Sequence, residues 1–372
     1  MISEREATIL LNMVSGIGYA RYRKLKEYFG SASAVFEQQE RDLQQVGNIN
    51  AKLAERIFKA PQECDYDGEM SCAARGGAQI FTLADEDYPE ILRNLPDPPL
   101  VLYVKGYLPE FDERAIAVVG SRRMTRYGEK VTGEITSVLA ENGFIIVSGL
   151  AFGVDTVAHR TTLECGGKTV AVLGGGLVKV HPQENIPLAK RIVDTGGAVI
   201  SEFPMRFPVS RQSFPRRNRI VSGLCSGVVV TEAGVESGAM LTANLANDFG
   251  RTVFAVPGNV DNPQSRGCNE LIRQGAVLVE KGEDILEHYN CLLGLFPHVG
   301  EAVEPYEGVP DLTRISEADQ KILTFLEESG GMSVEELHQK SEIPTGELLS
   351  MLMRLEMNRK VERGAGALYR KL

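Results

Sequence analysis

Apolar positions change their spacing along the chain and divide it into three parts. Residues 1–60 and 316–372 carry short stretches with apolar side chains at helical spacing. Between them, from about residue 111, short apolar runs rich in β-branched residues end in glycine and alternate with helical stretches. Strands that are apolar on both faces are typical of a parallel sheet covered by helices on either side. The spacing therefore predicts a central α/β domain flanked by two small domains.

The central part, residues 111–296, is predicted to fold as an extended, Rossmann-like, doubly wound and mostly parallel α/β domain. The predicted strands are Ile116–Val119, Phe144–Val147, Thr169–Leu173, Ala198–Ser201, Gly227–Val230, Thr252–Val256 and Ala276–Val279. The predicted helices are Tyr127–Asn142, Val154–Cys165, Ile186–Thr195 and Ala239–Phe249. The basic segment between the fourth and fifth strands is interpreted as a loop.

Residues 1–60 are predicted to form a small all-α domain of the helix-hairpin-helix, SAM-like type. An apolar helical stretch, Leu10–Gly18, ends in Gly-x-Gly, and a weaker copy, Val46–Ile49, lacks that pattern. Glycine in such hairpins lets backbone amides approach a phosphate. Contact with DNA and a purely structural docking role both stay open, and the docking role is preferred.

The remaining segments are interpreted from their composition. Residues 61–110 hold a proline-rich turn before a predicted strand, Leu100–Val104, and are interpreted as a connector. Residues 297–315 are acidic and contain proline and glycine, which predicts a linker. The C-terminal part, 316–372, is predicted to be a winged helix-turn-helix domain, and duplex DNA and a protein are equally open as its partner. Its predicted helices, which a hairpin follows, are Glu317–Glu328, Val334–Lys340 and Thr345–Asn358.

The composition restricts the class of protein. The formal net charge is −10, from 40 Lys and Arg against 50 Asp and Glu, and this balance by itself disfavours a nucleic-acid partner. Binding depends on the local field, however, so the placement of the cations decides the question. No apolar run approaches the roughly 20 residues that span a bilayer. The amino end also lacks a signal-peptide pattern, so we expect a cytoplasmic protein without a membrane partner.

One segment, Phe203–Thr231, concentrates cations and aromatic rings. It contains five arginines and three phenylalanines, and it contains no acidic residue. Arginine contacts phosphates while aromatic rings stack on unpaired bases, so this mixture favours a single strand over a duplex. The alternative is a solvated basic loop whose phenylalanines lie in the core.

Glycine-rich turns follow four of the predicted strands and should meet at one edge of the sheet. They are 120–123, 148–153, 174–176 and 257–259. Glycine permits close approach to the backbone and helix N-termini add positive potential, so the set predicts a floor of exposed amides that binds phosphate. Neither the dinucleotide-binding nor the P-loop glycine pattern is present, and no cofactor is expected.

Catalytic chemistry is weakly supported. Asp155 is predicted to cap the helix that follows it, His159 to pack inside the fold, and Glu232 to end a strand. No nucleophile elbow, paired-carboxylate pattern or metal-ligand spacing accompanies them, so neither enzymatic activity nor a metal is expected. One alternative is a nucleotide-processing enzyme of the phosphoribohydrolase type that uses Glu232. Another is a transcription regulator that binds duplex DNA through the winged helix.

Six motifs resemble those of the DNA-processing protein A family, also called DprA or Smf. They are Val119–Arg122, Ser148–Asp155, Phe214–Arg219, Glu236–Ala243, Val253–Gly258 and Gly267–Ile272. The resemblance implies a Rossmann-like domain that binds single-stranded DNA, protects it, and loads the RecA recombinase during natural transformation. It also implies a homodimer whose interface lies near Leu271–Tyr289.

The predicted DNA-binding residues combine the glycine turns and the basic segment with positions that the resemblance implies. By the resemblance, the turn at 120–122 contacts phosphate, residues 214–219 contact the strand, and the helix start at 237–242 faces the same groove. The predicted set is Gly120, Ser121, Arg122, Ser148, Gly149, Gly153, Gly175, Phe214, Arg216, Arg217, Asn218, Arg219, Ser237, Gly238 and Thr242. In particular, we expect Arg122, Arg217 and Arg219 to share one positively charged groove.

Overall fold

The structure, a computed structural model, describes residues 2–112 and 114–293. In the C-terminal part it describes residues 317–329, 331–341, 343, 348, 351–352, 355–356, 360–363 and 368–371. The chain divides into two compact units, Met1–Phe296 and Pro297–Leu372. The predicted linker at 297–315 lies outside the described residues.

Helices form the N-terminal part of the first unit, as predicted. They are α1 (Glu4–Met13), α2 (Tyr19–Phe29), α3 (Ala32–Val35), α4 (Glu40–Leu43), α5 (Ala51–Glu63) and α6 (Tyr66–Gly76). Helix α1 begins with a capping box, in which the side chains of Ser3 and Glu6 accept hydrogen bonds from each other's backbone amides. These helices share a hydrophobic core with one face of the central sheet, where Tyr103 is buried in the same cluster as Leu25 and Ile57.

The central sheet has nine strands within the described residues. They are β1 (Ala78–Thr82), β2 (Val101–Gly106), β3 (Ala115–Val119), β4 (Ile145–Ser148), β5 (Thr169–Val172), β6 (Ala198–Ser201), β7 (Gly227–Val230), β8 (Thr252–Ala255) and β9 (Val277–Leu278). Their order is β1-β2-β6-β5-β4-β3-β7-β8-β9. Strand β2 pairs antiparallel with β1 and β6, and every pair from β6 to β9 is parallel. The predicted mostly parallel sheet is confirmed.

Helices cover both faces of this sheet. They are α7 (Glu90–Arg93), α8 (Arg126–Glu141), α9 (Val154–Glu164), α10 (Ile186–Asp194), α11 (Ser213–Gly223), α12 (Gly238–Asp248), α13 (Arg266–Arg273) and α14 (Gly282–Leu293). Side chains alternate along β3, so Ile116 and Val118 pack with α8 and α9, whereas Ala117 and Val119 pack with α11 and α12. This arrangement confirms the doubly wound architecture.

Residues 61–110 do more than connect two domains. They complete α5 and supply α6, α7 and the two antiparallel strands β1 and β2 at one edge of the sheet. Strand β1 is an edge strand whose positions are mostly part-exposed, so it leaves no continuous apolar run in the sequence. The pattern that revealed the buried parallel strands was therefore missing here.

The basic segment that was interpreted as a loop contains helix α11. Pro215 lies in its first turn, where the amide hydrogen that proline lacks is not needed by the helix. No side chain caps the start of α11, so the sequence carries no clear signal for where it begins. This helix decides where the arginines of the segment lie.

The second unit has the elements of a winged helix. The elements with described bounds are α15 (Glu317–Ser329), α16 (Val334–Ser341), β10 (Val361–Arg363) and β11 (Tyr369–Lys371). Strands β10 and β11 pair antiparallel, and Met332 forms a bridge with Tyr369. Of the predicted third helix, the described positions 348, 351–352 and 355–356 are helical.

The strand order reverses at β3. The chain builds β4, β5 and β6 on one side of β3 and then returns to its other side with β7, β8 and β9. Loops that leave such a point diverge on opposite faces and open a crevice at the carboxyl edge, where open α/β sheets bind their ligands.

Candidate functional site

A cleft of about 440 Å³ opens at the carboxyl edge of the sheet, at the end of β3. The turns after β3 and β4 and the first turns of α11 and α12 contribute most of its lining. The lining residues are Val119, Gly120, Ser121, Arg122, Arg123, Gly149, Ala151, Asp155, Phe214, Arg217, Asn218, Val221, Ser237, Gly238, Ala239, Thr242 and Gln264. Three arginines against one carboxylate make this lining cationic within an acidic protein.

Arg122 and Phe214 form a pair at the cleft. The Arg122 guanidinium carbon lies 4.6 Å from the centroid of the Phe214 ring. Arg122 is exposed and Phe214 is partly exposed, so solvent reaches both groups. A stacked guanidinium still offers N–H groups to a phosphate, and an accessible ring offers a face to an unpaired base.

Arg217 and Asp155 are buried at the bottom of the cleft, with 5 % and 6 % of their surfaces exposed. Arg217 Nη1 donates to the carbonyl oxygen of Val172 at 2.9 Å. Burial raises the pKa of Asp155, and the positive charge of Arg217 opposes that rise. Burial lowers the pKa of Arg217, and the Asp155 carboxylate opposes that fall. Each charge therefore stabilises the other where an isolated charge would be costly.

Asp155 also holds the glycine turn before α9. Its Oδ2 accepts hydrogen bonds from the amides of Gly149 and Ala151, at 3.1 and 3.2 Å. Gly149 leaves space for a guanidinium, because an added Cβ would lie only 1.4 Å from Arg217 Nη1. The prediction that Asp155 caps α9 was wrong, since Gly153 is the N-cap residue and Asp155 lies inside the helix.

The amino end of α12 contributes to the cleft without a side-chain cap. Ser237 precedes the helix and makes no capping hydrogen bond. Its Oγ is buried and has no hydrogen-bond partner within the described part of the chain. Asn218 Nδ2 donates to the Gly238 carbonyl oxygen at 3.2 Å, which ties α11 to α12. The dipole of α12 favours an anion at this end of the helix.

The glycine turns do not form the floor of open amides that the sequence predicts. The Ser121 amide donates to the carbonyl oxygen of Glu232 at 2.6 Å, and the Gly176 amide donates to that of Phe207 at 2.9 Å. Two further amides in the 149–151 turn are held by Asp155. Buried amides need partners, and here the protein supplies them itself. Positive potential in the cleft therefore comes from arginine side chains and the end of α12.

Helix α11 separates the arginines of the basic segment onto two faces. Phe214 and Arg217 are three positions apart and both line the cleft. Arg216 and Arg219, also three positions apart, turn to Glu202 instead. The Arg216 Nη2 atom lies 3.1 Å from Glu202 Oε2. A loop would not impose this division, whereas the helical period does.

Arg219 departs from the predicted site. It is 7 % exposed and forms ion pairs with Glu202 and with Asp97, the latter at 3.2 Å from its Nε. The predicted groove shared by three arginines therefore holds for Arg122 and Arg217 and fails for Arg219. The acid-free segment begins one residue after Glu202, so the carboxylate that neutralises it lies just outside the segment.

The structure brings ten of the fifteen predicted residues together at the cleft. They are Gly120, Ser121, Arg122, Gly149, Phe214, Arg217, Asn218, Ser237, Gly238 and Thr242. Gly175 lines a smaller adjoining cavity. Ser148 is buried and donates to the Val118 carbonyl oxygen at 2.7 Å. Gly153, with φ of 78°, shapes the turn, because an added Cβ would lie 2.1 Å from the Ser121 carbonyl oxygen. The last two of the fifteen, Arg216 and Arg219, form ion pairs with Glu202 instead of lining the cleft.

Sequence reasoning missed three polar residues near the site. Gln264 Oε1 accepts a hydrogen bond from Ser121 Oγ at 2.9 Å inside the cleft. Lys179 and His181 line the adjoining cavity, which also includes Arg122 and Phe214. Gln264 is 143 positions from Ser121 and lies in no recognised motif, so no local signal marks it. Lys179 follows a glycine turn closely, and that position was a usable signal.

Glu232, the candidate catalytic residue of the enzymatic alternative, is buried and stabilises the start of a helix. It is 1 % exposed, and its oxygens accept hydrogen bonds from the Thr125 amide at 2.7 Å and the Thr125 hydroxyl at 2.8 Å. Thr125 is the N-cap of α8, so Glu232 holds the start of that helix. It does not line the cleft. Glu232 is therefore not placed at the cleft, where the phosphoribohydrolase alternative would need it as a base.

His159 is packed inside the fold, as predicted. Thr169 Oγ1 donates to the carbonyl oxygen of Ile146, so it accepts from His159 Nδ1, 2.6 Å away. Nε2 then carries the lone pair, and it is buried without a partner within the described residues. Burial lowers the pKa of His159 to about 3, and the charge of Arg217 adds to this.

His159 should make folding stability fall in acid. In the unfolded chain the His159 imidazole is protonated near pH 6.5, whereas in the folded protein its pKa is about 3. Between these values the unfolded state binds more protons, so His159 lowers the free energy of unfolding by up to about 1.4 kcal/mol per pH unit as the pH falls. Urea unfolding at several pH values checks this against His159→Asn, whose amide can replace the Nδ1 donor. Parallel stability curves for the two proteins would contradict the assignment.

The described residues contain neither a candidate metal site nor a candidate membrane-spanning helix. No group of three or more His, Cys, Asp or Glu side chains in this part of the chain could hold a metal ion. Within the same residues, no helix combines the length and the apolar character needed to cross a membrane.

The fold and the site together define a class of protein. It is a Rossmann-like α/β protein with an arginine-lined cleft at the carboxyl edge, a helical domain before the sheet and a winged-helix unit after it. The family model described as DNA recombination-mediator protein A matches residues 79–290, and the chain belongs to this family. A SAM-like helix-hairpin-helix tandem matches residues 8–61, and a DprA winged helix domain matches residues 309–367. The family that the sequence motifs resemble is thereby confirmed.

Curated relatives and solved structures agree with this membership. Protein Smf of Escherichia coli (strain K12) is 40 % identical over 259 residues, which cover 70 % of this chain and 69 % of that protein. DNA processing protein DprA of Streptococcus pneumoniae is 42 % identical over 217 residues, which cover 56 % of this chain and 73 % of that protein. The X-ray structure of the S. pneumoniae protein matches with a TM-score of 0.64 at 36 % identity, covering 77 % of this chain and 98 % of that one. A structure of DNA processing protein A from Helicobacter pylori matches with a TM-score of 0.50 at 30 % identity, covering 57 % of this chain and 95 % of that one. That structure is described by its single-stranded DNA binding mode.

Proposed function

We propose that this chain binds single-stranded DNA in the cleft and acts by binding rather than by catalysis. The observation that carries the proposal is the Arg122–Phe214 pair, set over a lining that also contains Arg217 and the uncapped amino end of α12. Cations that contact phosphates and an aromatic face that stacks on bases are the combination used by single-strand binding proteins. A duplex hides the faces of its bases, so stacking on Phe214 favours an unpaired strand.

The comparisons support this proposal from a second direction. The H. pylori relative is described by its single-stranded DNA binding mode, and it is 30 % identical to this chain. The matching family is described as a DNA recombination mediator, which supports DNA as the ligand. The cleft also lies at the sheet edge where this type of fold binds its ligands.

Salt dependence and strand preference test the proposal. We expect fluorescence anisotropy of a labelled oligonucleotide to show at least about tenfold tighter binding of a single strand than of the matching duplex, since stacking on unpaired bases is worth about 1–3 kcal/mol per base. If the three cleft arginines each neutralise one phosphate, the logarithm of affinity should fall against the logarithm of salt concentration with a slope of about −2.

Arg191→Ala is a suitable control for this measurement. Arg191 is an exposed arginine near the carboxyl end of α10, which lies at the opposite edge of the sheet from the cleft. It should leave both the affinity and the slope unchanged. Equal affinity for single strand and duplex, or affinity that does not respond to salt, would overturn the proposal.

We further propose that the bound strand is handed to the RecA recombinase in DNA processing and natural transformation, and that the chain acts as a homodimer through the region near Leu271–Tyr289. The family's description as a recombination mediator supports the first step. The edge strand β9 supports the second, because Leu278 on it is 49 % exposed. Co-sedimentation with RecA on single-stranded DNA tests the partner, and sedimentation equilibrium of Leu278→Glu tests the dimer. Absence of RecA from the pellet, or an unchanged association constant for Leu278→Glu, would contradict the respective step.

A further inference from the structure

A second cavity, of about 350 Å³, lies between the first helical hairpin and the segment that leads from β6 into α11. We call it the hairpin cavity. Residues 12–17, which end α1 and form the following turn, line one side, and residues from the 202–216 segment line the other. Of the predicted DNA-binding residues, Arg216 alone belongs to this lining. The proposed function therefore leaves the cavity without a role.

The 202–216 side of the hairpin cavity presents the same combination of groups as the cleft. Phe203 and Phe207 stack with their ring centroids 4.7 Å apart and their planes 16° from parallel. Phe203 is buried, whereas Phe207 is partly exposed. The Arg216 guanidinium carbon lies 4.7 Å from the Phe203 ring centroid, and 47 % of the Arg216 side chain is exposed. An aromatic face beside a stacked guanidinium suits an unpaired base with its phosphate.

Two exposed arginines are neighbours in sequence of residues that line the cavity, Arg206 of Phe207, and Arg211 of Ser210 and Gln212. Arg206 and Arg211 lie between β6 and α11, and no carboxylate within the described residues forms an ion pair with either. The segment from Phe203 to α11 contains no acidic residue that could neutralise them locally. Their charge is therefore available to an anionic polymer that passes over the cavity.

The helical hairpin adds positive charge on the other side. Arg21 donates to the carbonyl oxygen of Gly16 at 2.5 Å, and Arg56 donates to that of Ser15 at 2.8 Å. These two arginines hold the turn that lines the cavity. Helix α2 then begins after Gly18 without a side-chain cap, so its dipole adds positive potential close to the same turn.

Glu202 lines the hairpin cavity, and one of its two carboxylate oxygens has no hydrogen-bond donor within the described residues. It is 2 % exposed, and its Oε2 binds Arg216 and Arg219. Its Oε1 is buried with no hydrogen-bond partner within the described residues. An unpaired buried carboxylate oxygen is costly, and the amino group of a base is a donor of the kind that it lacks. The interior therefore suits a base, while Arg206 and Arg211 suit the phosphates on either side of it.

Helix α11 places the hairpin cavity next to the cleft. Ser213 lines the hairpin cavity, and Phe214, the next residue, lines the cleft. A strand that leaves the cleft across the first turn of α11 therefore meets Arg216 and the hairpin cavity directly. The two cavities are separated by a single turn of one helix.

We propose that the hairpin cavity is a second nucleotide-binding subsite for the DNA strand held in the cleft. A base lies against Phe207, and the neighbouring phosphates contact Arg206 and Arg211. This inference rests on the proposed function, since it concerns the same strand. It gives the helical hairpin a role in DNA binding, against the docking role that the sequence favours.

Oligonucleotide length separates the two sites in the full-length chain. We compare labelled single strands of about 4 and about 20 nucleotides, which lie at the lower end of the range of about 4–16 nucleotides for one single-strand site and above that range. Phe207→Ala should weaken binding of the longer strand at least about fivefold, as expected when one stacked base is lost, and should change the shorter strand's affinity less than about twofold. The double variant Arg206→Glu, Arg211→Glu should do the same through exposed side chains that folding does not need.

The outcomes of this experiment are distinct. Equal losses for both strands would mean that the variants act on the cleft, and no loss for the longer strand would remove the subsite; either result overturns the inference. A wild-type chain that binds neither strand would instead overturn the proposed function. If thermal melting shows that Phe207→Ala is unfolded, the double arginine variant decides the question. Arg191→Ala is the matched control and should bind both strands as the wild type does.

Discussion

Replacing Arg122 by alanine is expected to weaken the binding of single-stranded DNA by about ten- to a hundredfold. A hydrogen bond to a charged group contributes about 1.5–3 kcal/mol, and about 1.4 kcal/mol corresponds to a factor of ten. Arg122 is the exposed partner of the Arg122–Phe214 pair, so its removal takes away both a phosphate contact and the group stacked on the ring. Phosphate contacts carry no sequence information, and the loss should be the same for oligonucleotides of different sequence.

Fluorescence anisotropy measures this loss, and two further variants make it specific. Arg122→Lys keeps the charge without the planar guanidinium, so its affinity should lie between those of the wild type and Arg122→Ala. Arg191→Ala removes an arginine at the opposite edge and should bind normally. Because Arg122 is exposed, the free energy of unfolding should change by no more than about 0.5 kcal/mol. Wild-type affinity in Arg122→Ala would exclude Arg122 from the site.

Replacing Asp155 by alanine is expected to destabilise the first unit by about 2–6 kcal/mol, because the amides of Gly149 and Ala151 lose their acceptor and each buried donor left unpaired costs about 1–3 kcal/mol. The substitution also removes the carboxylate charge that favours the buried Arg217 guanidinium. Urea unfolding of the full-length chain measures the change. Because the turn at 149–151 lines the cleft, the affinity for single-stranded DNA should fall as well.

Two companion variants identify the cause of that loss. Asp155→Asn keeps an oxygen that can accept from the turn amides but loses the charge, so it should be less destabilising than Asp155→Ala. The double variant Asp155→Ala, Arg217→Met removes both buried charges and should recover part of the stability. If the change in unfolding free energy of the double variant equals the sum of the changes in Asp155→Ala and Arg217→Met, the two charges do not interact.

The buried strands were the most predictable part of this protein. Strands β6 and β7 have the bounds that the sequence predicts, Ala198–Ser201 and Gly227–Val230. A central parallel strand is apolar on both faces, so a run such as Gly-Val-Val-Val identifies it without knowledge of its neighbours. Edge strand β1 has polar and exposed positions, and its role became visible only through its pairing with β2.

The candidate site was predictable where its residues directly follow strands. Gly120, Ser121, Arg122 and Gly149 lie at the ends of β3 and β4, and the topology of a parallel sheet brings such positions to one edge. Gln264 carries no such mark, because only the folded chain brings it to Ser121. The amides of the turns were expected to be open, and the protein's own acceptors occupy several of them.

By itself, the sequence determined the α/β architecture and the edge at which the cleft opens. It could do so because a strand buried on both faces is a run of consecutive apolar residues, and the glycine that ends it is the next residue. Both features can be recognised from a short stretch of sequence. Only the tertiary structure decided which arginines face the cleft. The period of α11 turns Arg217 toward the cleft and Arg219 away, and Arg219 meets Asp97, 122 positions earlier in the chain, as an ion-pair partner. The sequence shows that a residue is charged but not where its side chain points, because the helix face and carboxylates distant in sequence determine that orientation.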